Sequence, residues 1–349
     1  MKKILFYTDS KEFGGAEHYL SVVLRRISRQ KYTPLLAFGL NPLRFALLLR
    51  REKPDIVHFN LPLAFSCAAA LIVCGRFKKI KITGTVHSVE PPSSRFPFLK
   101  HLKKLTALRT LKLVQRFICV SQKSKETFCK NYNITPERVS VVYNGLDVFE
   151  TEDFAPAKKL KVSLGIKENE FVVGTVSRLV NKKGIEVLLK AFSRISIQKD
   201  RQKLLIVGDG ILKGRLIKAA KKLGLKGRVI FAGHQNDVLP FLLAMDLFVM
   251  PSLSESMPFA LMEAMAAGRA VISTEVGGVK ELVCEEENGL LIPPADPERL
   301  CNAISLLSGD RTRLYALGKA AKKHMADNFS IDSMTRGTGQ FFDAVVLSL

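Results

Sequence analysis

The sequence predicts an α/β protein built of two doubly wound domains in tandem. Short apolar runs bounded by turn residues alternate with longer segments of helical period, the trace that a parallel sheet with crossover helices leaves in a chain. The alternation runs to about residue 143 and restarts near residue 171. With 349 residues, 47% hydrophobic and 25% charged, there is apolar material for two cores, and a disordered tail is excluded.

The first expected strand, Ile4–Thr8, is an apolar run stopped by Asp9, Ser10, Lys11 and Glu12 with no small-residue cleavage site, so it reads as a strand and not as a signal peptide. Further strands are expected at Leu35–Phe38, Ile56–Phe59, Ile82–Val86, Phe117–Val120 and Val139–Tyr143. The second series is Phe171–Val176, Leu204–Val207, Val229–Ala232, Leu247–Met250, Ala270–Ser273 and Leu290–Ile292. Between the two, Glu150 to Lys161 is charged, contains Pro156 and lacks an apolar period, which reads as a linker. Domains are therefore expected at 1–160 and 161–328, followed by a C-terminal segment, 329–349. Doubly wound folds bind ligands beyond the carboxyl ends of their strands, so two facing each other are expected to form a cleft that holds the function.

Lys and Arg number 54 against 32 Asp and Glu, a net charge of +22. Such a balance points to nucleic acid, an anionic membrane or phosphate-bearing substrates. The excess lies mainly before residue 171. Pro91 to Lys125 carries nine Lys/Arg and no acid, interleaved with Phe96, Phe98, Leu99, Leu102, Leu105 and Leu108. A basic amphipathic segment of this kind suits anionic lipid headgroups, or is a solvated helix packing one face on its own domain. No reading module or aromatic stacking pattern accompanies the charge, so nucleic acid is not expected. The six cysteines are scattered without a C-x-x-C pair, which reads as reduced thiols in a cytosol. The longest uncharged apolar stretch, Leu61 to Cys74, falls short of the roughly 20 residues that span a bilayer.

The most informative segment is Pro251 to Arg269. Pro258 suits the first turn of a helix and Gly268 its end, which places Glu255 in the entering loop and Glu263 about one and a half turns inside. The N–H groups of Met257, Phe259 and Ala260, with the helix dipole, favour an anion at the same place. Two hydroxyl-accepting carboxylates beside an anion hole suit a sugar nucleotide, although a bare E-x7-E spacing equally describes solvated surface acids. Arg178 and Lys183 follow the strand ending at Val176, two cations where a phosphate would lie. Gly208 and Gly210, in Val207-Gly-Asp-Gly210, and Gly14 and Gly15, after the first strand, remove side chains where a ligand could come close. Each of these alone also reads as an ordinary loop.

These pieces, in this order, resemble the GT-B glycosyltransferases of family four. The resemblance runs over nearly the whole chain: GGAE at 14–17, Thr85-Val86-His87, the NG-x-D of 144–147, SRL and KKG within 177–184, VGDG at 207–210, VIFAG at 229–233, and E-x7-E at 255–263. It implies two Rossmann-like domains facing across a cleft, an acceptor-binding one first and a donor-binding one second, with a C-terminal helix packing back on the first. It implies retaining transfer from a nucleoside diphosphate sugar, with no metal and no covalent nucleophile. Arg178 and Lys183 would bind the diphosphate and Glu263 the ribose, while Glu255 would contact the sugar hydroxyls. The amides of Met257, Phe259, Ala260 and Leu261 would hold sugar and phosphate, Gly15 would approach the diphosphate, and Phe231 to His234 would border the base. His87, after the strand Ile82–Val86, resembles the active-site histidine of the family, with His58 as the competing histidine and Asp9 a candidate for acceptor binding.

The basic, apolar-studded first domain points to a lipid-linked or lipopolysaccharide-type acceptor and to a cytoplasmic enzyme peripheral on the membrane's inner face. The alternatives are an epimerase of the same fold and a non-catalytic basic protein that binds membrane or nucleic acid.

Overall fold

The computed structural model describes residues 1–10, 14–90, 97–150, 154–195 and 201–347. Two compact units make up the chain, one of Met1–Gly145 together with Ile331–Leu349, the other of Leu146–Ser330.

The first unit contains strands β1 (Lys2–Thr8), β2 (Tyr32–Phe38), β3 (Ile56–Leu61), β4 (Lys81–Val86), β5 (Arg116–Cys119) and β6 (Val139–Val141). Its helices are α1 (Gly15–Arg26), α2 (Pro42–Glu52), α3 (Ala68–Cys74), α4 (Pro97–Thr110) and α5 (Gln122–Tyr132). The six strands form one sheet in the order β2-β1-β3-β4-β5-β6, every pair parallel. β2 begins three residues earlier than its expected start at Leu35. It runs through Pro34 because it is an edge strand, where a missing amide breaks no ladder. The helix starts follow local chemistry: the Asn41 side chain accepts from Arg44 N at 2.9 Å, and Ser121 Oγ accepts from Ser124 N at 3.1 Å.

In the second unit, α6 (Ala155–Ser163) leads into β7 (Phe171–Val176), α7 (Ile185–Arg194), β8 (Gln202–Val207), α8 (Lys213–Lys222) and β9 (Val229–Gly233). Then come α9 (Leu239–Ala244), β10 (Leu247–Met250), α10 (Phe259–Ala266), β11 (Ala270–Thr274), α11 (Val279–Leu282), β12 (Leu290–Ile292), α12 (Pro297–Gly309) and α13 (Arg311–Asn328). The sheet order is β12-β11-β10-β7-β8-β9, again parallel throughout. All twelve expected strands are therefore present, in two doubly wound sheets. The segment expected as a linker is helical from Ala155. Pro156 does not break that helix because it sits in the first turn, where its missing N–H has no intrahelical partner to lose.

The C-terminal helix α14 (Ile331–Leu347) belongs to the first unit. Phe342 is fully buried, edge-on to Phe6 at 5.8 Å and to His58 at 5.1 Å. Thr338 Oγ1 lies 3.3 Å from Tyr19 Oη, and Asp343 takes Lys31 Nζ at 2.8 Å and the Tyr32 hydroxyl.

Of the basic segment Pro91 to Lys125, residues 91–96 lie outside the described residues. Helix α4 turns Ala107 inward, and Leu111 just past its end is buried too, but Phe98, Leu99, Leu102 and Leu105 are left exposed, Phe98 at 74%. No helix among the described residues is long and apolar enough to cross a membrane.

Replacing Phe342 by Ala removes a buried ring that joins α14 to β1 and β3, and should cost about 3–5 kcal/mol. The expected readout is a lower denaturant midpoint for the transition of the first unit, with the transition of the second unchanged.

Candidate active site

In the second sheet the chain proceeds from β7 outward to β8 and β9, then returns to the other side of β7 with β10. The break in strand order between β7 and β10 leaves the loops after these two strands side by side, the place where doubly wound sheets hold ligands. Residues 177–184 form one loop and 251–258 the other. They interlock closely: Leu253 N donates to Lys182 O at 2.7 Å. Gly184 has a left-handed φ of 64°, and a Cβ there would run into the Pro251 carbonyl oxygen.

This close approach sets Lys183 Nζ 2.5 Å from Glu255 Oε1, with side-chain exposures of only 17% and 9%. Ser252 Oγ donates to the same carboxylate oxygen at 2.7 Å. Ser252 is fully buried, and its carbonyl in turn accepts from Thr274 Oγ1 at 2.5 Å. Arg178 stands exposed two residues beyond the end of β7. Gly208 and Gly210 lie on the neighbouring loop after β8. Leu179 N donates to Asp209 O at 2.8 Å, and a Cβ on Gly208 would meet the Ser177 carbonyl oxygen. Gly208 N reaches Gly233 O at 2.7 Å, tying in the end of β9, where Phe231 is half-buried against the core and His234 is exposed.

Helix α10 starts beside Glu255 with Pro258 as its N-cap, which has no side-chain oxygen to cap the first turn. The first intrahelical bond is Met262 N to Pro258 O. The N–H groups of Ala260 and Leu261 therefore have no carbonyl partner within the helix. The helix ends in a Schellman motif: Gly268 N reaches Met265 O at 2.9 Å and Arg269 N reaches Ala264 O at 3.0 Å, with Gly268 at φ 70°. Both neighbours of Glu263 are fully buried, and its carboxyl has no hydrogen-bond or ion-pair partner among the described residues. Burial pushes its pKa up to about 7.

In the first unit, Gly14 caps α1 and Gly15 opens it, both exposed, and Gly14 N donates to Glu17 Oε2 at 3.0 Å. Asp9, exposed after β1, accepts from Cys67 N at 2.7 Å and so holds the start of α3. His87 follows β4, with Nε2 2.7 Å from Asn60 Oδ1. Burial pushes its imidazole down to about 3, which leaves the ring neutral. His58 is fully buried, and both its ring nitrogens are occupied by Thr83 Oγ1 at 2.9 Å and Thr85 Oγ1 at 2.8 Å. It has no nitrogen left for a ligand.

Ser252, Thr274 and Asn60 were not visible as site residues in the sequence. Each is a strand-end or strand-following polar residue that is almost wholly buried. That burial is the signal, and it exists only once the strands are stacked. No group of three or more His, Cys, Asp or Glu side chains that could hold a metal ion occurs among the described residues.

Two doubly wound parallel sheets, with a mostly buried Lys–Glu pair at the switch point of the second, fit the GT-B glycosyltransferase class, and comparison with known proteins shows that class. The family model "Glycosyl transferases group 1" matches residues 156–324, and "Glycosyltransferase Family 4" matches residues 4–149. The UDP-Gal:alpha-D-GlcNAc-diphosphoundecaprenol alpha-1,3-galactosyltransferase of Escherichia coli is 31% identical over 296 residues, 81% of this chain and 74% of that protein. The lipopolysaccharide core biosynthesis glycosyltransferase LpsE of Rhizobium meliloti is 34% identical over 164 residues, 47% of each chain. The crystal structure of Anabaena HepE in complex with UDP-glucose superposes with a TM-score of 0.85 at 22% identity, covering 99% of this chain and 100% of that one. The chain belongs to the family-four, group 1 glycosyltransferases, and it is an enzyme of that class.

Glu263 carries a measurable consequence. A carboxyl of ordinary value 4.5 raised to about 7 by folding holds its proton more tightly in the native state. Between those two values the folded chain keeps a proton that the unfolded chain has lost, so stability falls as pH rises through that window. The loss is roughly 2–3 kcal/mol by pH 8. Glu263→Gln should abolish it, so that the melting temperatures of the ligand-free variant and parent, similar near pH 4.5, diverge in favour of the variant toward pH 8.

Proposed function

We propose that the protein transfers a sugar from a nucleoside diphosphate sugar to a hydroxyl of a glycan or glycolipid acceptor, with retention of anomeric configuration and without a metal ion. The observation that carries this reading is the Lys183–Glu255 pair at 2.5 Å, set at the switch point beside the uncapped start of α10. Breaking the bond between the sugar and the diphosphate builds negative charge on the leaving phosphate. Lys183 supplies a compact positive charge there and Arg178 a forked one, while the amides of Met257, Phe259, Ala260 and Leu261 add fixed dipoles. That positive charge replaces what a metal would supply.

Glu255, already shared between Lys183 and Ser252, keeps acceptor capacity for donor sugar hydroxyls. Glu263 takes the ribose hydroxyls. An unpartnered, desolvated carboxylate gains most from such donors, which restore the hydrogen bonds that burial removed. Gly208 and Gly210 leave room for close approach, and Phe231 and His234 border the base. In the first unit, His87 receives a substrate hydroxyl, and Gly14 and Gly15 leave the start of α1 open to a ligand.

For the acceptor we infer a lipid-linked or lipopolysaccharide-type glycan, handled at the cytoplasmic face of a membrane. The diphosphoundecaprenol acceptor named for the Escherichia coli relative and the lipopolysaccharide role named for LpsE support it. So do the exposed Phe98, Leu99, Leu102 and Leu105 on α4, beside the basic residues Lys103 and Lys104.

Two experiments test these readings. Lys183→Ala and Glu263→Ala should each lower kcat/KM for the nucleotide sugar by about a hundredfold or more, with circular dichroism unchanged; normal transfer by both variants would sink the donor-site assignment. The parent should also sediment with anionic liposomes at low salt and be released at high salt, whereas Lys103→Glu/Lys104→Glu should stay in solution. Equal binding of parent and variant would remove α4 from the membrane contact.

A further inference from the structure

We propose that Asn60 holds His87 in the tautomer protonated on Nε2, so that Nδ1 is presented as the acceptor for a substrate hydroxyl. This rests on the reading of His87 as a substrate-binding residue. Asn60, near the end of β3 and fully buried, has Nδ2 3.2 Å from Ala16 O in the first turn of α1. A backbone carbonyl only accepts, so the amide nitrogen must face it; the flipped amide would set two oxygens against each other at 3.2 Å, too close for a water to stand between them.

The amide oxygen is thereby turned toward His87, 2.7 Å from Nε2. That oxygen also only accepts, and Nε2 must therefore carry the hydrogen. A neutral imidazole has one N–H, which leaves Nδ1 with a lone pair. Desolvation keeps the ring neutral at working pH. Nδ1 has no hydrogen-bond partner among the described residues.

The ring is also held in place. Its backbone N–H donates to Leu61 O at 3.0 Å, and Tyr19 packs edge-on with its centroid 5.0 Å away. Tyr19 is itself anchored through its hydroxyl to Thr338 Oγ1 at 3.3 Å. His58 differs: both its nitrogens face threonine hydroxyls, so neither is spare. A lone pair at His87 Nδ1 selects for a ligand group bearing O–H, and against one in which that hydroxyl is missing or methylated. Asn60 is thus a positioning residue that acts through His87.

The test is long-range proton–nitrogen NMR on the full-length protein with nitrogen-15 histidine. His87 should show a protonated Nε2 and an unprotonated Nδ1 across pH 5–8; a protonated Nδ1 or an averaged pair overturns the proposal. Asn60→Leu should convert the His87 signals to a tautomer mixture and lower kcat/KM at least tenfold, and an unchanged spectrum overturns the role of Asn60. Asn60→Asp, whose buried carboxyl in its protonated form donates to Ala16 O while its other oxygen faces Nε2, should restore the Nε2-protonated spectrum at pH 5, which separates positioning from loss of fold if the Leu variant is unstable. Should His87→Ala transfer sugar at the parental rate, the substrate role of the ring fails. A wrong tautomer in the parent defeats only the positioning by Asn60.

Discussion

An ammonium and a carboxylate held 2.5 Å apart in mostly buried surroundings lose much of their hydration, and that loss is offset only if the geometry is tight and the remaining lone pairs are used. The second unit meets both conditions at the junction of β7 and β10. Gly184 brings its backbone against Pro251, Leu253 reaches across to Lys182, and Ser252 donates into Glu255 while Thr274 fixes the Ser252 carbonyl. The parallel sheet makes this economical, since reversing the strand order at β7 places two loops side by side with no further element needed. The loop after β8 closes on the same point through Leu179 and Gly208.

Buried polar groups organise the first unit in a different way. His58, Thr83, Thr85, Tyr19 and Thr338 form a hydrogen-bonded chain across β3, β4, α1 and α14. Each member is buried, so leaving one unsatisfied would be costly, and the chain therefore specifies how the C-terminal helix docks on its own sheet. His87 lies beside this chain but outside it, joined instead to Asn60 and, through Asn60, to the start of α1. Two histidines, one on β3 and one just after the adjacent β4, both pushed to about 3 by burial, thus have opposite roles. One is saturated by threonines; the other keeps a free nitrogen.

Much of the fold was legible in the chain because strands buried on both faces read as short apolar runs, and the turn residues between them are local signals. Errors arose where a local signal was ambiguous. Pro156 looks like a break, yet the first turn of a helix tolerates proline, as the edge strand β2 does at Pro34. The basic segment around α4 could be recognised by composition, but only the packed structure separates its inward Ala107 from the exposed Phe98 and Leu102. Lys183 and Glu255 could be nominated singly from their loops. Their contact could not, because 72 residues and three strands separate them.

By itself the sequence determined the class of protein: two doubly wound domains, the order of their strands along the chain, and the loops that carry charge, glycine and carboxylate. Those features are written in periods of two to four residues and in residue types whose backbone preferences are intrinsic. Only the tertiary structure decided which side chains share a site and in what protonation state they sit. Glu263 is an ordinary glutamate until α10 packs it among buried neighbours, and the His87 tautomer is set by a carbonyl contributed from α1 through an asparagine on β3. Desolvation and hydrogen-bond direction are properties of the assembled interior, so no stretch of chain contains them.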